Sequence, residues 1–212
     1  MRQLIQPARN IWTTWLDALA PYYCPGCNLA TSTHKGYHFC QACRPLLASM
    51  RHNDALFRYQ GPLAEGIKGL KYQQRVSYLP ALTALFTSHI HRWDKQVDVV
   101  VPVPLHVKRL RQRGFNQSAL LAKDLADLLG VPLATRLLRR THHGPPQNQL
   151  NGQERWHNVR HAFCAKPLKN PIRILLFDDV RTTGATLEQA KKALCKAGAT
   201  KVFSVALAGA QE

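Results

Sequence analysis

The stretch from Ile174 to Thr186, Ile-Leu-Leu-Phe-Asp178-Asp179-Val-Arg-Thr182-Thr183-Gly184-Ala185-Thr186, holds the densest chemistry in the chain. A buried apolar strand there delivers two adjacent carboxylates at its C-terminal end, the edge where open α/β sheets bind ligands. Small and hydroxylated residues follow and turn into a helix, whose first N–H groups and positive dipole end attract anions. The combination suits a phosphate carried on a polyol, with hydroxyls to Asp178 and Asp179 and the phosphate to Thr182, Thr183, Gly184, Ala185 and Thr186. A plain helix cap needs one Ser, Thr or Asp and leaves both acids and the further threonines without use. No Gly-Lys-Ser/Thr closes the loop, so it is not a Walker A motif.

Cysteine spacing gives a second chemistry. Cys24-Pro-Gly-Cys27 and Cys40-Gln-Ala-Cys43 are two C-x2-C knuckles, each able to set two thiolates on one side of a tight turn. Two knuckles close a tetrahedron around Zn²⁺ with no open coordination position, which predicts a structural ion and excludes metal catalysis there. The polar segment between them is too poor in apolar residues to fold unaided, and metal binding supplies the missing free energy. His34 and His38 lie within this module, but four thiolates already fill the coordination sphere. Neither knuckle precedes the long helix of a thioredoxin-like redox site. Cys195 shares a predicted helical face with Leu187, Ala190 and Leu194 and is expected in the core, away from any site.

Cations form the third group. Lys108, Arg109, Arg111 and Arg113 fall in a predicted loop that a preceding strand aims at the ligand edge, where they can neutralise a diphosphate or a nucleic-acid backbone. Lys68, Lys71 and Arg75 recur at helical spacing and predict a second basic stripe, for which a solvated helix face is the plainer use. Tyr72, Phe115 and Trp156 stand near these cations and can stack on bases, although each type is more often a packing residue.

These groups must be positioned by alternating strands and helices. Ala55 to Gln60 and the apolar run Val97 to Val103 are predicted strands, as are Ile172 to Phe177 and Lys201 to Leu207. Helices are predicted at Pro62 to Tyr72, Leu79 to Ile90, Asn116 to Leu129 and Thr186 to Ala197. That order predicts right-handed βαβ units on a parallel sheet. Arg139 to Asn158 is polar and broken by Gly-Pro-Pro, which predicts a long loop of the lid or binding kind. Apolar residues at helical spacing from Leu4 to Leu19, with two tryptophans, predict an amphipathic helix that packs on the body, lies on a membrane or grips a partner. The expected divisions are this helix (1–21), the cysteine module (22–50) and the α/β domain (51–212).

Across 212 residues, 45% are hydrophobic, which excludes a disordered tail, a collagen and a disulfide scaffold. Lys and Arg number 29 against 12 acids, a formal charge of +17 that no fold requires and that points to anionic partners. Charge, proline or glycine interrupts every apolar run short of a membrane span, and Arg9, Asn10 and Asp17 cut through any signal-peptide core. A cytoplasmic protein is expected, with a peripheral place at the inner membrane left open by the N-terminal helix.

The Asp-Asp-Val-x-Thr-Thr-Gly loop resembles the signature of the type I phosphoribosyltransferase fold. Together with Asp98-Val-Val-Val-Pro-Val-Pro104, Arg113-Gly-Phe-Asn-Gln117, Leu70-Lys71-Tyr72 and the spaced set Gln147, Leu150, Arg155, Asn158 and Phe163, it is similar to the ComF family over about Cys24 to Leu207. That resemblance implies a four-cysteine zinc module ahead of a Rossmann-like, parallel-sheet phosphoribosyltransferase-like domain. It also implies phosphoribosyl pyrophosphate or a nucleotide as ligand, with Mg²⁺, the acid pair on the ribose and the loop on the 5-phosphate. The role implied is in natural competence, handling single-stranded DNA beside DNA-uptake proteins. The alternative is an active phosphoribosyltransferase that releases pyrophosphate; no catalytic residue or acceptor is assigned.

Overall fold

The computed structural model describes residues 22–31, 38–50, 54–141 and 162–210. The helix expected before Tyr22 and most of the predicted lid loop, with Gln147, Leu150, Arg155, Trp156 and Asn158, lie outside these residues.

Four parallel strands form the central sheet: β3 (Ala55–Arg58), β4 (Val99–Pro102), β7 (Arg173–Arg181) and β8 (Lys201–Gly209), in the order β3-β8-β7-β4. A parallel bridge from Val100 to Leu133 extends it beyond β4. β7 is central and the register along it is continuous, Ile174 facing Val99 on one side and Val202 on the other. At its N-terminal end Arg173 clasps Asp98 through Nη2 (2.7 Å) and Nε (3.1 Å), which fixes the β4–β7 register. This pairing holds the Asp98 carboxyl down to about 2.

Alternation along the strands divides the core into two layers, as a sheet covered on both faces requires. Leu175 and Phe177 of β7 and Val100 of β4 point to one side, against α1 (Gly61–Tyr72), α2 (Leu79–Thr83) and α4 (Gln117–Leu129). Phe177 meets Phe86 there edge to face, at 5.4 Å. Ile174 and Leu176, with Val99 and Val101, point to the other side, against Leu187, Ala190 and Leu194 of α5 (Ala185–Lys196).

The cysteine module lies within the first layer. A two-stranded ribbon, β1 (Tyr22–Tyr23) with β2 (Ala30–Thr31), carries the first knuckle, and Cys24, Phe39 and Cys43 join the same apolar cluster as α1 and β7. Contact is close enough that a Cβ on Gly26 would lie 2.5 Å from Pro62 Cβ of α1, so only glycine fits. Across this contact Arg75 donates to Asn28 Oδ1, and Tyr78 Oη donates to the same oxygen at 2.8 Å.

Several expectations need correction. The basic segment is a helix, α3 (Val107–Arg113), not a loop: His106 Nδ1 caps it by accepting from Lys108 N, and Gly114 ends it in the left-handed region. Leu79 to Ile90 is a short α2 followed by single 3-10 turns, because Thr87 and Ser88 spend their hydroxyls on carbonyls three residues back and compete with the helix. Arg139 and Arg140 leave the predicted loop to form a hairpin, β5 (Leu138–Arg140) with β6 (Phe163–Ala165). Cys195 is exposed: it lies one position past Leu194, about 100° round the helix from the buried face.

Candidate ligand site and sulfur cluster

β7 ends at the edge where the acid pair was expected, and the pair comes with partners of its own. Asp179 is 3% exposed, and Lys71, from the last turn of α1, places its ammonium 2.5 Å from Asp179 Oδ2. Gln117 Nε2 donates to the other oxygen at 3.3 Å. Asp178 is half-buried and accepts from Ser118 Oγ at 2.8 Å and from the Asp179 backbone N–H at 2.9 Å. Burial of the Asp178 carboxyl, and then the negative charge of Asp179, push its pKa up to about 8.

Gln117 and Ser118 are buried at the start of α4, the helix that Asn116 caps: its Oδ1 accepts from Ser118 N and its Nδ2 donates to Val103 O. The Arg-Gly-Phe-Asn-Gln segment thus turns from α3 into α4 and delivers two polar side chains to the acids. Arg113 completes the arrangement, donating to Gln117 Oε1 at 2.5 Å while its guanidinium lies over the Tyr72 ring at 5.4 Å. Lys71, Tyr72, Arg113, Gln117, Ser118 and both acids therefore form one connected polar cluster. Ser118 is not among the residues the sequence singles out, since nothing in its spacing points to Asp178.

The loop after β7 is open. Thr182, Thr183 and Ala185 are exposed and Gly184 and Thr186 half-buried. Gly184 sits at φ 79°, a conformation other residues rarely adopt, and no side chain caps α5. The Arg181 side chain lies over this turn, its Nε 3.0 Å from where a Gly184 Cβ would be. An uncapped N-terminus of a twelve-residue helix beside two hydroxyls is suited to an anion.

The proposed cations separate. Lys108, Arg109 and Arg111 are exposed on α3, which buries no residue, whereas Arg113 turns inward. The expected stripe on α1 is not continuous. Lys68 pairs with Glu65 at 2.8 Å, Lys71 with Asp179, and Arg75 with Asn28 and Tyr78. Phe115 packs against the core, and Tyr72 is exposed beneath Arg113.

On the opposite side of α1 the four cysteine sulfurs lie within 4.8 Å of one another. Cys27 and Cys40 are 3.7 Å apart, close to the edge of about 3.8 Å that a tetrahedron of 2.3 Å metal–sulfur bonds requires. The donors are soft thiols, Cys40 N donates to Cys24 Sγ, and the set could hold a metal ion. Desolvation raises the Cys43 thiol while the Cys43 backbone N–H lowers Cys40 to about 7, so an ion that displaces the protons must supply the charge balance.

No family model matches the chain. Competence protein F of Haemophilus influenzae is 32% identical over 156 residues, 68% of this chain and 66% of that protein. The chain belongs to the ComF family. DNA utilization protein YhgH of Escherichia coli K12 is 29% identical over 185 residues (84% of this chain, 80% of that one), and competence protein ComFC of Bacillus subtilis 28% over 195 residues (86% and 75%). The match thus spans just under two thirds of the Haemophilus protein. Among solved structures, the allosteric regulatory enzyme of purine biosynthesis is similar at 21% identity and TM-score 0.41, over 65% of this chain and 29% of that one. Purine phosphoribosyltransferase from Pyrococcus horikoshii is similar at 18% and 0.37, over 60% and 70%. Both likenesses are too weak to argue from. This ComF-family chain has a four-stranded parallel sheet covered by helices on both faces, with a four-cysteine cluster beside it. Among the described residues no helix is long and apolar enough to cross a membrane.

Proposed function

We propose that this ComF-family protein binds phosphoribosyl pyrophosphate, or a nucleotide, at the C-terminal end of β7 and handles single-stranded DNA during uptake, in the cytoplasm beside the uptake machinery. The observation that carries the reading is the acid pair near the end of β7, one short turn ahead of an uncapped helix N-terminus. Asp178 takes the ribose hydroxyls, and Asp179 anchors it through the cluster with Lys71 and Gln117. The N–H groups and hydroxyls of residues 182–186 take the 5-phosphate. Lys108 and Arg109 face the diphosphate, on which Mg²⁺ would ride. Zn²⁺ holds Cys24, Cys27, Cys40 and Cys43 together as a structural ion. The cations of α3, Arg111 included, meet the DNA backbone; of the α1 cations, Lys68 is exposed and would have to give up its surface pair with Glu65 to join them.

Ligand-induced thermal stabilisation tests this, since it grows as RT ln(1 + [L]/Kd). Phosphoribosyl pyrophosphate with Mg²⁺ should raise the Tm, and Asp178→Asn should abolish the rise. A ligand response unchanged in that variant would place the ligand elsewhere. Pyrophosphate release above a no-acceptor control, with bases or amines present, would move the protein to the transferases. Single-stranded DNA binding should weaken by roughly 0.7 log units per phosphate neutralised for each tenfold rise in salt. Neutralising Lys108, Arg109 and Arg111 should flatten that slope by about two units; an unchanged slope would remove α3 from the DNA surface.

A further inference from the structure

β8 is longer than the strand beside it. It runs from Lys201 to Gly209, while β3 pairs with it only from Ala206 onward. The N-terminal half of β8 is therefore held by β7 on one side and open on the other. Ala206 shows which groups face that opening, since its N–H donates to Asp54 O at 2.7 Å. Backbone groups alternate sides along a parallel strand, so the N–H and C=O of Val202 and Ser204 point into the same lane, ahead of β3. Among the described residues no backbone group pairs with them there.

The lane is a groove of about 370 Å³ with the β8 edge along its floor. Arg92 and Trp93, the latter in the first core layer, line it from one face of the sheet, and Lys191 of α5 lines it from the other. Lys201 stands at the open end, its Nζ 4.5 Å from the centre of the Phe203 ring, and Asp54 at the end where β3 begins. Three cations thus face one acid, and among the described residues none of the three has a carboxylate partner. The groove is separate from the acid pair, which lies level with Ala206 and beyond, one strand over.

An open strand edge presents donors and acceptors in alternation. An extended peptide satisfies both, whereas a phosphodiester backbone brings acceptors only. Unpaired cations around the edge select for acids. This chain is a poor source of such a strand: at a net charge of +17 a second copy is repelled, and no stretch outside the described residues has more than one Asp or Glu.

We infer that the open edge of β8, from Lys201 to Val205, is a docking site for an extended acidic segment of another protein, which adds as a strand in the lane ahead of β3. Its backbone pairs with Val202 and Ser204, and its acids meet Arg92, Lys191 and Lys201. Five residues of β8 offer a lane roughly 16 Å long. The inference stands apart from the ligand reading above and survives its failure.

The experiment is fluorescence anisotropy of a labelled, end-blocked peptide, Val-Glu-Glu-Val-Glu-Glu-Val, titrated with the full chain at low salt. Its sequence puts acids on both faces of a strand. Only alternate N–H groups of a paired strand face β8, so N-methylation of one alternate set should weaken binding about tenfold or more, and of the other set leave it unchanged. Lys191→Glu with Lys201→Glu should weaken it by at least about tenfold, with native circular dichroism. Ser204→Pro removes a donor that faces the lane and none that faces β7, and should abolish binding; if that variant does not fold, the methylated peptides and the charge reversals decide. Equal loss from both methylated sets overturns the added strand, as does no binding at about 1 mM. Oligothymidylate that binds where the peptide does not, and is lost on the charge reversals, overturns the peptide in favour of a nucleic acid.

Discussion

Two clusters of like groups flank α1, and the fold treats them differently. The acids at the end of β7 are two adjacent carboxylates, and the chain supplies Lys71, Gln117 and Ser118 to satisfy them. Among the described residues the four thiols of the knuckles have no such cation: their contacts are to one another and to backbone N–H groups. If the acid pair takes an exchangeable ligand, as proposed, it has to stand without it as well, and its compensation is built in. A permanent ion can be the compensation itself, and the sulfurs are left incomplete until it arrives.

The largest effect expected from that difference is metal removal. Because Cys24, Phe39 and Cys43 belong to the apolar cluster that holds α1 and β7, loss of the ion should not stay within the module. Chelation or Cys43→Ser should cost about 5 kcal/mol or more, roughly 10–20 °C in Tm for a chain of this size. Calorimetry with and without chelator measures it. A Tm change under 2 °C, together with no metal in elemental analysis of reduced protein, would show that the thiols are self-sufficient after all and erase the contrast.

Next in size is the built-in compensation. Lys71→Met leaves Asp179, almost fully buried, without its cation, a change worth about 3–5 kcal/mol. Lys71→Met with Asp179→Asn should recover much of it, since no unpaired charge remains. Denaturant unfolding of the two single variants and the double variant gives the coupling directly. Additive effects would mean that the ammonium and carboxylate, although adjacent, do not depend on each other.

How far this was legible in the sequence follows from the range of each signal. The strand that delivers Asp178 and Asp179 and the helix from Asn116 to Leu129 are local patterns and lie where they were read, although the strand runs on through both acids to Arg181 instead of stopping at Phe177. The four-cysteine cluster was legible because a metal site fixes its own spacing. Long-range features were not. Lys71 has helical spacing to Lys68 and Arg75, which predicts a stripe; only the approach of α1 to β7 draws it into Asp179. β5 and β6 pair across more than twenty residues, so no short turn announces the hairpin in what reads as loop. α3 is a helix in a stretch of cations because His106 and Gly114 cap both ends, an effect that charge content conceals.

The smallest effect is a pH dependence that separates the two acids. An ordinary aspartate ionises near 4, whereas burial and the Asp179 charge push Asp178 up to about 8 in the folded chain. Between those values the native state holds a proton that the unfolded state has released. Stability then changes with pH in proportion to protons bound by the unfolded minus the native state, which is negative here, so it falls as pH rises. The contribution of Asp178 is fully present below about pH 4 and is lost progressively towards about pH 8. Solvent screening of this half-exposed residue keeps the loss to a few degrees in Tm. The chain's ten histidines titrate in the same window, so the informative quantity is the difference from Asp178→Asn, which cannot ionise. Melting at constant ionic strength from pH 5 to 8 should show the variant gaining on the unaltered chain as pH increases. Parallel curves would mean that Asp178 ionises at its ordinary pH, and that Lys71 compensates both acids instead of one.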